Sequence, residues 1–74
     1  MPERIDARGL SCPQPVVMTR QKLELLGSGD LEVLVDTEAA RENIVRLAER
    51  SGWSADVHAL NDDILLRLSK SQGL

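Results

Sequence analysis

Cys12-Pro13-Gln14-Pro15 marks the start of the first helix in this chain of 74 residues. Proline suits a first helical turn, because its missing N–H would be unpaired there anyway and its φ is already close to the helical value. A hydrophobic run of helix-forming residues follows over 16–26. We therefore expect Cys12 at or next to the N-cap, Pro13 at the first helical position and Pro15 at the third.

This placement has a chemical consequence for the thiol of Cys12. Among the first three helical N–H groups only that of Gln14 remains to meet the sulfur, since the other two residues are prolines. A helix N-terminus stabilises an anion by about 0.3–1 kcal/mol, and by ~2 kcal/mol in favourable geometry. One pKa unit is about 1.4 kcal/mol, so the helix should lower the pKa of Cys12 from ~8.5 by a fraction of a unit to roughly one unit or slightly more. A lone cysteine is usually a small buried hydrophobe, but a helix start beside a Gly-Leu-Ser loop favours an accessible, partly ionised sulfur.

Hydrophobic periodicity predicts two helices and four strands in the order β-α-β-α-β-β. Right-handed crossovers then place both helices on one face of a mixed four-stranded sheet. The fold class is an α/β two-layer sandwich (α+β), and residues 1–74 are expected to form one domain. The predicted strands cover about 3–7, 31–35, 53–60 and 64–69, and the predicted helices cover about 13–26 and 37–51.

Both helices carry an apolar stripe at helical spacing. The stripes consist of Val16, Thr19, Leu23 and Leu26 in the first helix, and of Ala40, Ile44, Leu47 and Ala48 in the second. Charges on the second helix are spaced to form exposed pairs, which are Glu38 with Arg41, Glu42 with Arg46, and Arg46 with Glu49. Leu34 and Leu65 fall on the sheet face without helices, as ordinary exposed residues or as part of a partner contact.

Composition excludes several classes of protein. Hydrophobic residues make up 42% and charged residues 28% of the chain, which is typical of a globular domain. The net charge of −3 disfavours direct binding to nucleic acid. The amino-terminal residues lack the apolar core of a signal peptide, and no apolar run reaches membrane-spanning length. A single cysteine cannot form an internal disulfide, so we expect a cytoplasmic protein.

The residues also disfavour a resident metal or cofactor. Cys12 and His58 are the sole cysteine and histidine, which is short of an ordinary zinc set. His58 lies in the other half of the chain, so a Cys–His nucleophile pair is not expected. Gly27-Ser28-Gly29 follows a helix rather than preceding one, unlike a phosphate-binding loop. We expect no metal and no cofactor.

The segment from Asp6 to Val16 resembles the opening of the TusA/SirA-like family of small sulfur-carrier proteins, since it matches the pattern D-x-x-G-L-x-C-P-x-P. The family fold has two helices on one side of a four-stranded mixed sheet. The resemblance implies that Cys12 carries a persulfide. Its sulfur comes from a donor protein, a cysteine desulfurase or a rhodanese-like enzyme, and passes to an acceptor such as a DsrE-like protein. Family routes lead to tRNA thiolation, molybdenum-cofactor synthesis and sulfur oxidation.

Other motif positions receive supporting roles from the same resemblance. The residues expected to shape the loop and the helix start are Asp6, Gly9, Leu10, Pro13 and Pro15. A separate observation, the balance of charge over residues 1–30, leaves the surroundings of Cys12 without a net negative charge. The candidate contacts for an anion or an acidic partner are Arg8, Gln14 and Arg20, and the alternative for both arginines is ordinary exposure to solvent.

The second helix is more similar to that of YedF-type amino-terminal domains, a branch associated with selenium metabolism. Its opening, residues 36–43, carries this likeness. Selenium is therefore an alternative cargo to sulfur. A second hypothesis is a non-catalytic regulatory or RNA-binding module of the same fold.

Overall fold

A computed structural model describes residues 3–11 and 13–71 of the chain. Cys12 lies outside the described residues, so the predicted placement of its sulfur is not tested. The elements follow the predicted order β-α-β-α-β-β. They are β1 (Glu3–Asp6), α1 (Gln14–Leu26), β2 (Gly29–Val35), α2 (Glu38–Arg50), β3 (Ser54–Leu60) and β4 (Asp63–Lys70).

The four strands form one mixed sheet in the order β1-β2-β4-β3. β1 is parallel to β2, and β4 is antiparallel to both of its neighbours. This confirms the predicted fold class. The parallel pair requires α1 as a crossover connection, whereas β3 and β4 are joined by a hairpin turn at Asn61, whose φ is +54°. As a result, β2 and β4 occupy the centre of the sheet.

The hydrophobic core lies between the central strands and the two helices. Fully buried side chains alternate along β2 and β4, as the period of two predicts, and α2 covers them with Ile44 and Ala48. Trp53, just before β3, is also buried. The strand residues of this core are Leu31, Val33, Val35, Leu66 and Leu68. Val57 pairs with the buried Leu66 but lies on the edge strand β3 and is 45% exposed.

The buried face of α1 differs slightly from the predicted stripe. Thr19 and Leu23 are buried as expected, but Pro15 joins them, while Val16 and Leu26 are only half-buried. The Thr19 hydroxyl donates a hydrogen bond of 2.8 Å to the Pro15 carbonyl, which satisfies the polar group inside the core. The buried face of α1 therefore follows residues 15, 19 and 23, which is a shift of about one residue from the predicted stripe.

Charged residues occupy much of the sheet face that the helices leave uncovered. Glu32 of β2 is almost buried between two arginines, Arg4 at 2.8 Å and Arg67 at 3.1 Å. Hydrogen bonds from Arg4 and then Arg67 lower the pKa of Glu32. Leu34 and Leu65 lie opposite each other on neighbouring strands and are half-buried.

Candidate functional site

The loop that precedes Cys12 begins as a continuation of β1. The Ala7 amide donates to the Leu34 carbonyl at 2.8 Å, so the parallel pairing extends one residue past the strand, and Ala7 is buried. The chain then leaves the sheet through Arg8, Gly9, Leu10 and Ser11 toward the start of α1. This loop therefore starts at the carboxyl end of β1, beside β2.

Arg8 connects the loop to the end of β1 and the start of β4. Its guanidinium donates to both carboxylate oxygens of Asp6, at 2.9 and 2.8 Å, and to Asp63 at 3.0 Å. The Arg8 backbone amide also donates to Asp6, at 3.1 Å. These hydrogen bonds from Arg8 lower the pKa of Asp6 to about 2 and raise the pKa of Arg8 above its usual value. Arg8, expected as an anion contact, is thus engaged by two carboxylates of the protein itself.

Gly9 fixes the turn of the loop. Its φ is +76°, in the left-handed region that favours glycine, and its amide donates to the Asp36 carboxylate at 3.0 Å. Asp36 directly precedes Thr37, the N-cap of α2. Thr37 caps the helix by accepting a hydrogen bond from the Ala40 amide at 3.2 Å, while the Asp36 carboxylate binds the loop at Gly9.

The first turn of α1 differs from the predicted placement by one position. Pro13 is the N-cap rather than the first helical residue, and Pro15 is the second helical residue rather than the third. The Gln14 amide donates to the Ser11 carbonyl at 2.9 Å, and the Val17 amide donates to Pro13 at 3.0 Å. The Gln14 N–H is therefore engaged by the Ser11 carbonyl, and its relation to the sulfur stays a prediction. Once Pro13 becomes the N-cap, the first-turn N–H after Gln14 is that of Val16.

Leu10 anchors the end of the loop against the helices. It is half-buried and packs against the core. Together with Pro15 and Val16 it lines a cleft of about 30 Å³ between the amino-terminal ends of α1 and α2, closed on the other side by Thr37 and residues of α2. Pro13 and Gln14 are exposed at the surface next to it.

A larger groove runs between α1 and α2 from Pro13 onward. It has a volume of about 390 Å³. Arg20, the remaining candidate contact, lines this groove together with Arg46 and Arg50 of α2. Arg46 and Arg50 are not among the contacts predicted from the sequence. Arg46 has glutamates at helical spacing on both sides, so the sequence predicts that it pairs with them. Neither predicted pair of Arg46 forms, and Glu42 contacts Arg41 instead, at 3.8 Å.

The remaining candidate groups lie apart from this region. His58 is exposed on β3, opposite Leu65. Gly27 ends α1, and its amide donates to the Leu23 carbonyl at 2.9 Å. Over residues 3–11 and 13–71 no group of three His, Cys, Asp or Glu side chains is arranged to hold a metal ion. Within the same residues neither helix is long and apolar enough to cross a membrane.

Comparisons with known proteins agree with this geometry. A crystal structure of a SirA-like protein from Desulfitobacterium hafniense superposes with a TM-score of 0.86 at 32% identity, covering 93% of this chain and 97% of that one. A protein of Methanocaldococcus jannaschii named "Putative sulfur carrier protein" is 43% identical over 53 residues, which are 70% of this chain and 71% of the relative. The family model described as sulfurtransferase TusA matches residues 3–70. The chain therefore belongs to the TusA family.

Proposed function

We propose that this protein is a sulfur carrier, a sulfurtransferase that holds sulfur as a persulfide on Cys12. The observation that carries the proposal is the match to the TusA family over residues 3–70, which includes the one cysteine of the chain. A relative whose name describes a sulfur carrier supports it. The loop contacts of Arg8 and Gly9 support it further, because they hold the residues before Cys12 on the side of both helix starts.

The proposed chemistry is a thiol–persulfide exchange without net oxidation. The Cys12 thiolate attacks the terminal sulfur of a persulfide on the donor protein, and the donor thiolate leaves. Transfer onward repeats the step, with an acceptor thiolate attacking the terminal sulfur on Cys12. The chain has one cysteine, so it contains no second thiol that could form a disulfide with Cys12 and release the carried sulfur.

Intact-mass spectrometry tests this proposal. The purified chain is incubated with a cysteine desulfurase and cysteine, and separately with inorganic polysulfide. We expect a mass gain of one sulfur atom that dithiothreitol removes, and no gain in Cys12→Ser. Absence of any gain with both donors would contradict the proposal.

The same proposal also covers the donor, the acceptor, the compartment and the route of the sulfur. A cysteine desulfurase or a rhodanese-like protein is the proposed donor and a DsrE-like protein the proposed acceptor, with the cytoplasm as compartment. Sulfur for tRNA thiolation, sulfur for cofactor synthesis and selenium are the candidate routes, and the YedF-type likeness of α2 stays a prediction. RNA binding that survives Cys12→Ser would favour the non-catalytic module instead.

A further inference from the structure

The groove between α1 and α2 collects arginines that have no carboxylate partner. Arg20 comes from α1, and Arg46 and Arg50 come from α2 one turn apart. All three are exposed, and none forms an ion pair with another residue of the described ranges. The other arginines of the same ranges, Arg4, Arg8, Arg41 and Arg67, each form an ion pair of 3.1 Å or shorter.

This distribution is unusual for an acidic protein. The chain carries 12 acidic against 9 basic side chains, so carboxylates are in excess. Arg46 nevertheless forms no ion pair with Glu42 or Glu49, although both lie at helical spacing from it. Three like charges around one groove repel one another, and a negatively charged occupant would relieve that repulsion.

Apolar side chains also line the groove. Val16 and Leu47 are half-buried there, and both pack against the core. Pro13, which follows Cys12 in the sequence, forms one end of the groove. An occupant of the groove can therefore contact aliphatic side chains and guanidinium groups, next to the residue that follows Cys12.

We propose that this groove is the docking surface for an acidic segment of the protein that exchanges sulfur with Cys12. The inference rests on the proposed sulfur-carrier function and names the chemistry of its partner. Carboxylates of the segment pair with the arginines, whose planar guanidinium groups can bind them in a bidentate manner. Apolar side chains of the segment contact Val16 and Leu47. Nucleic acid fits less well, because the groove offers no aromatic side chain for base stacking and the chain is acidic overall.

Fluorescence anisotropy tests the docking surface separately from sulfur transfer. The probe is a fluorescein-labelled decapeptide that repeats Glu-Glu-Leu, and the protein is the full chain in a Cys12→Ser background that carries no sulfur. We expect binding that weakens between 50 and about 300 mM NaCl. The double variant R46Q/R50Q should bind about threefold to tenfold more weakly. The control for the single variants R46Q and R50Q is R41Q, which likewise removes one positive charge from the same helix but outside the groove; it should change affinity less than about twofold and less than either single variant does.

Three results would overturn the docking surface. These are no binding of the peptide, equal losses in the single variants and R41Q, and tighter binding of a ten-nucleotide single-stranded RNA that depends on Arg46 and Arg50. Circular dichroism before each titration excludes unfolding as the cause of a loss. Amide chemical shifts provide a second measurement: peptide-induced changes should concentrate on 16–20 and 43–50 rather than on β3 and β4.

A loading experiment separates this inference from the proposed function. In the chain with Cys12 intact, R46Q/R50Q should accept sulfur from a desulfurase several-fold more slowly than the unsubstituted chain, and R46Q or R50Q alone should accept it more slowly than R41Q does. If the unsubstituted chain gains no sulfur from the desulfurase or from polysulfide, the carrier function fails. Peptide binding then decides the docking surface by itself.

Discussion

Replacement of Gly9 by alanine tests whether the loop before Cys12 depends on a left-handed residue. Gly9 has φ of +76°, and a Cβ at this position would meet no atom within 4 Å. The substitution therefore adds backbone strain without a steric clash. A non-glycine residue in the left-handed region costs about 1–2 kcal/mol. The hydrogen bond from the Gly9 amide to Asp36 is made by the backbone and stays available.

Gly27 provides a control at the other end of α1, since its φ is +72° and its added Cβ would also meet nothing within 4 Å, although its ψ of −42° lies outside the left-handed helical region. It ends α1 at the helix terminus away from the loop. We expect Gly9→Ala to lose about 1 kcal/mol of the free energy of unfolding, with a melting temperature lowered by about 4–8 °C. Gly27→Ala should lose at least as much, because alanine does not readily adopt its combination of φ and ψ. Gly9→Asn should lose less, because asparagine tolerates the left-handed region better.

Urea unfolding followed by circular dichroism measures these losses, and intact-mass loading measures function. Only the Gly9 variant should slow sulfur loading of Cys12, because it alone alters the approach to the cysteine. Two results would refute the reasoning about this loop. One is a Gly9→Ala variant as stable as the wild type, and the other is a Gly9→Asn variant that loses as much stability as Gly9→Ala.

Two further predictions concern the core and the loop carboxylate. Ile44→Ala should reduce the free energy of unfolding by about 2–5 kcal/mol, because Ile44 is fully buried between α2 and the sheet; a smaller loss in urea unfolding would mean that the core collapses around the cavity. The Asp6 carboxylate should titrate near pH 2 by carbon-13 NMR, and Arg8→Gln should move its pKa up toward 3.8, since hydrogen bonds from Arg8 lower it. Because the folded pKa lies below the unfolded one, the stabilisation from this pair is present above about pH 4 and is lost as the pH falls through about 2. An unchanged Asp6 pKa in Arg8→Gln would contradict the assigned contact.

Local patterns in the sequence determined the element order and the fold class. The proline pair marked the start of α1, and apolar residues at every second position of 31–35 and 64–68 indicated the buried face of both central strands. Ile44 and Ala48 were expected in the core from their helical spacing, and both are buried there. Such signals depend only on the period of a helix or a strand. They can therefore be recognised in a single sequence without knowing which distant residues come into contact.

Tertiary structure decided which charges meet. Arg8 contacts Asp63, 55 residues later in the chain, because the hairpin start of β4 lies beside the end of β1. Arg46 has two glutamates in reach along its own helix, but it lines a groove that exists only where α1 packs beside α2. A long, exposed arginine gains only about 0.3–0.5 kcal/mol from a helical pair. An energy so small leaves the choice of partner to the packing of the elements, which local periodicity does not encode.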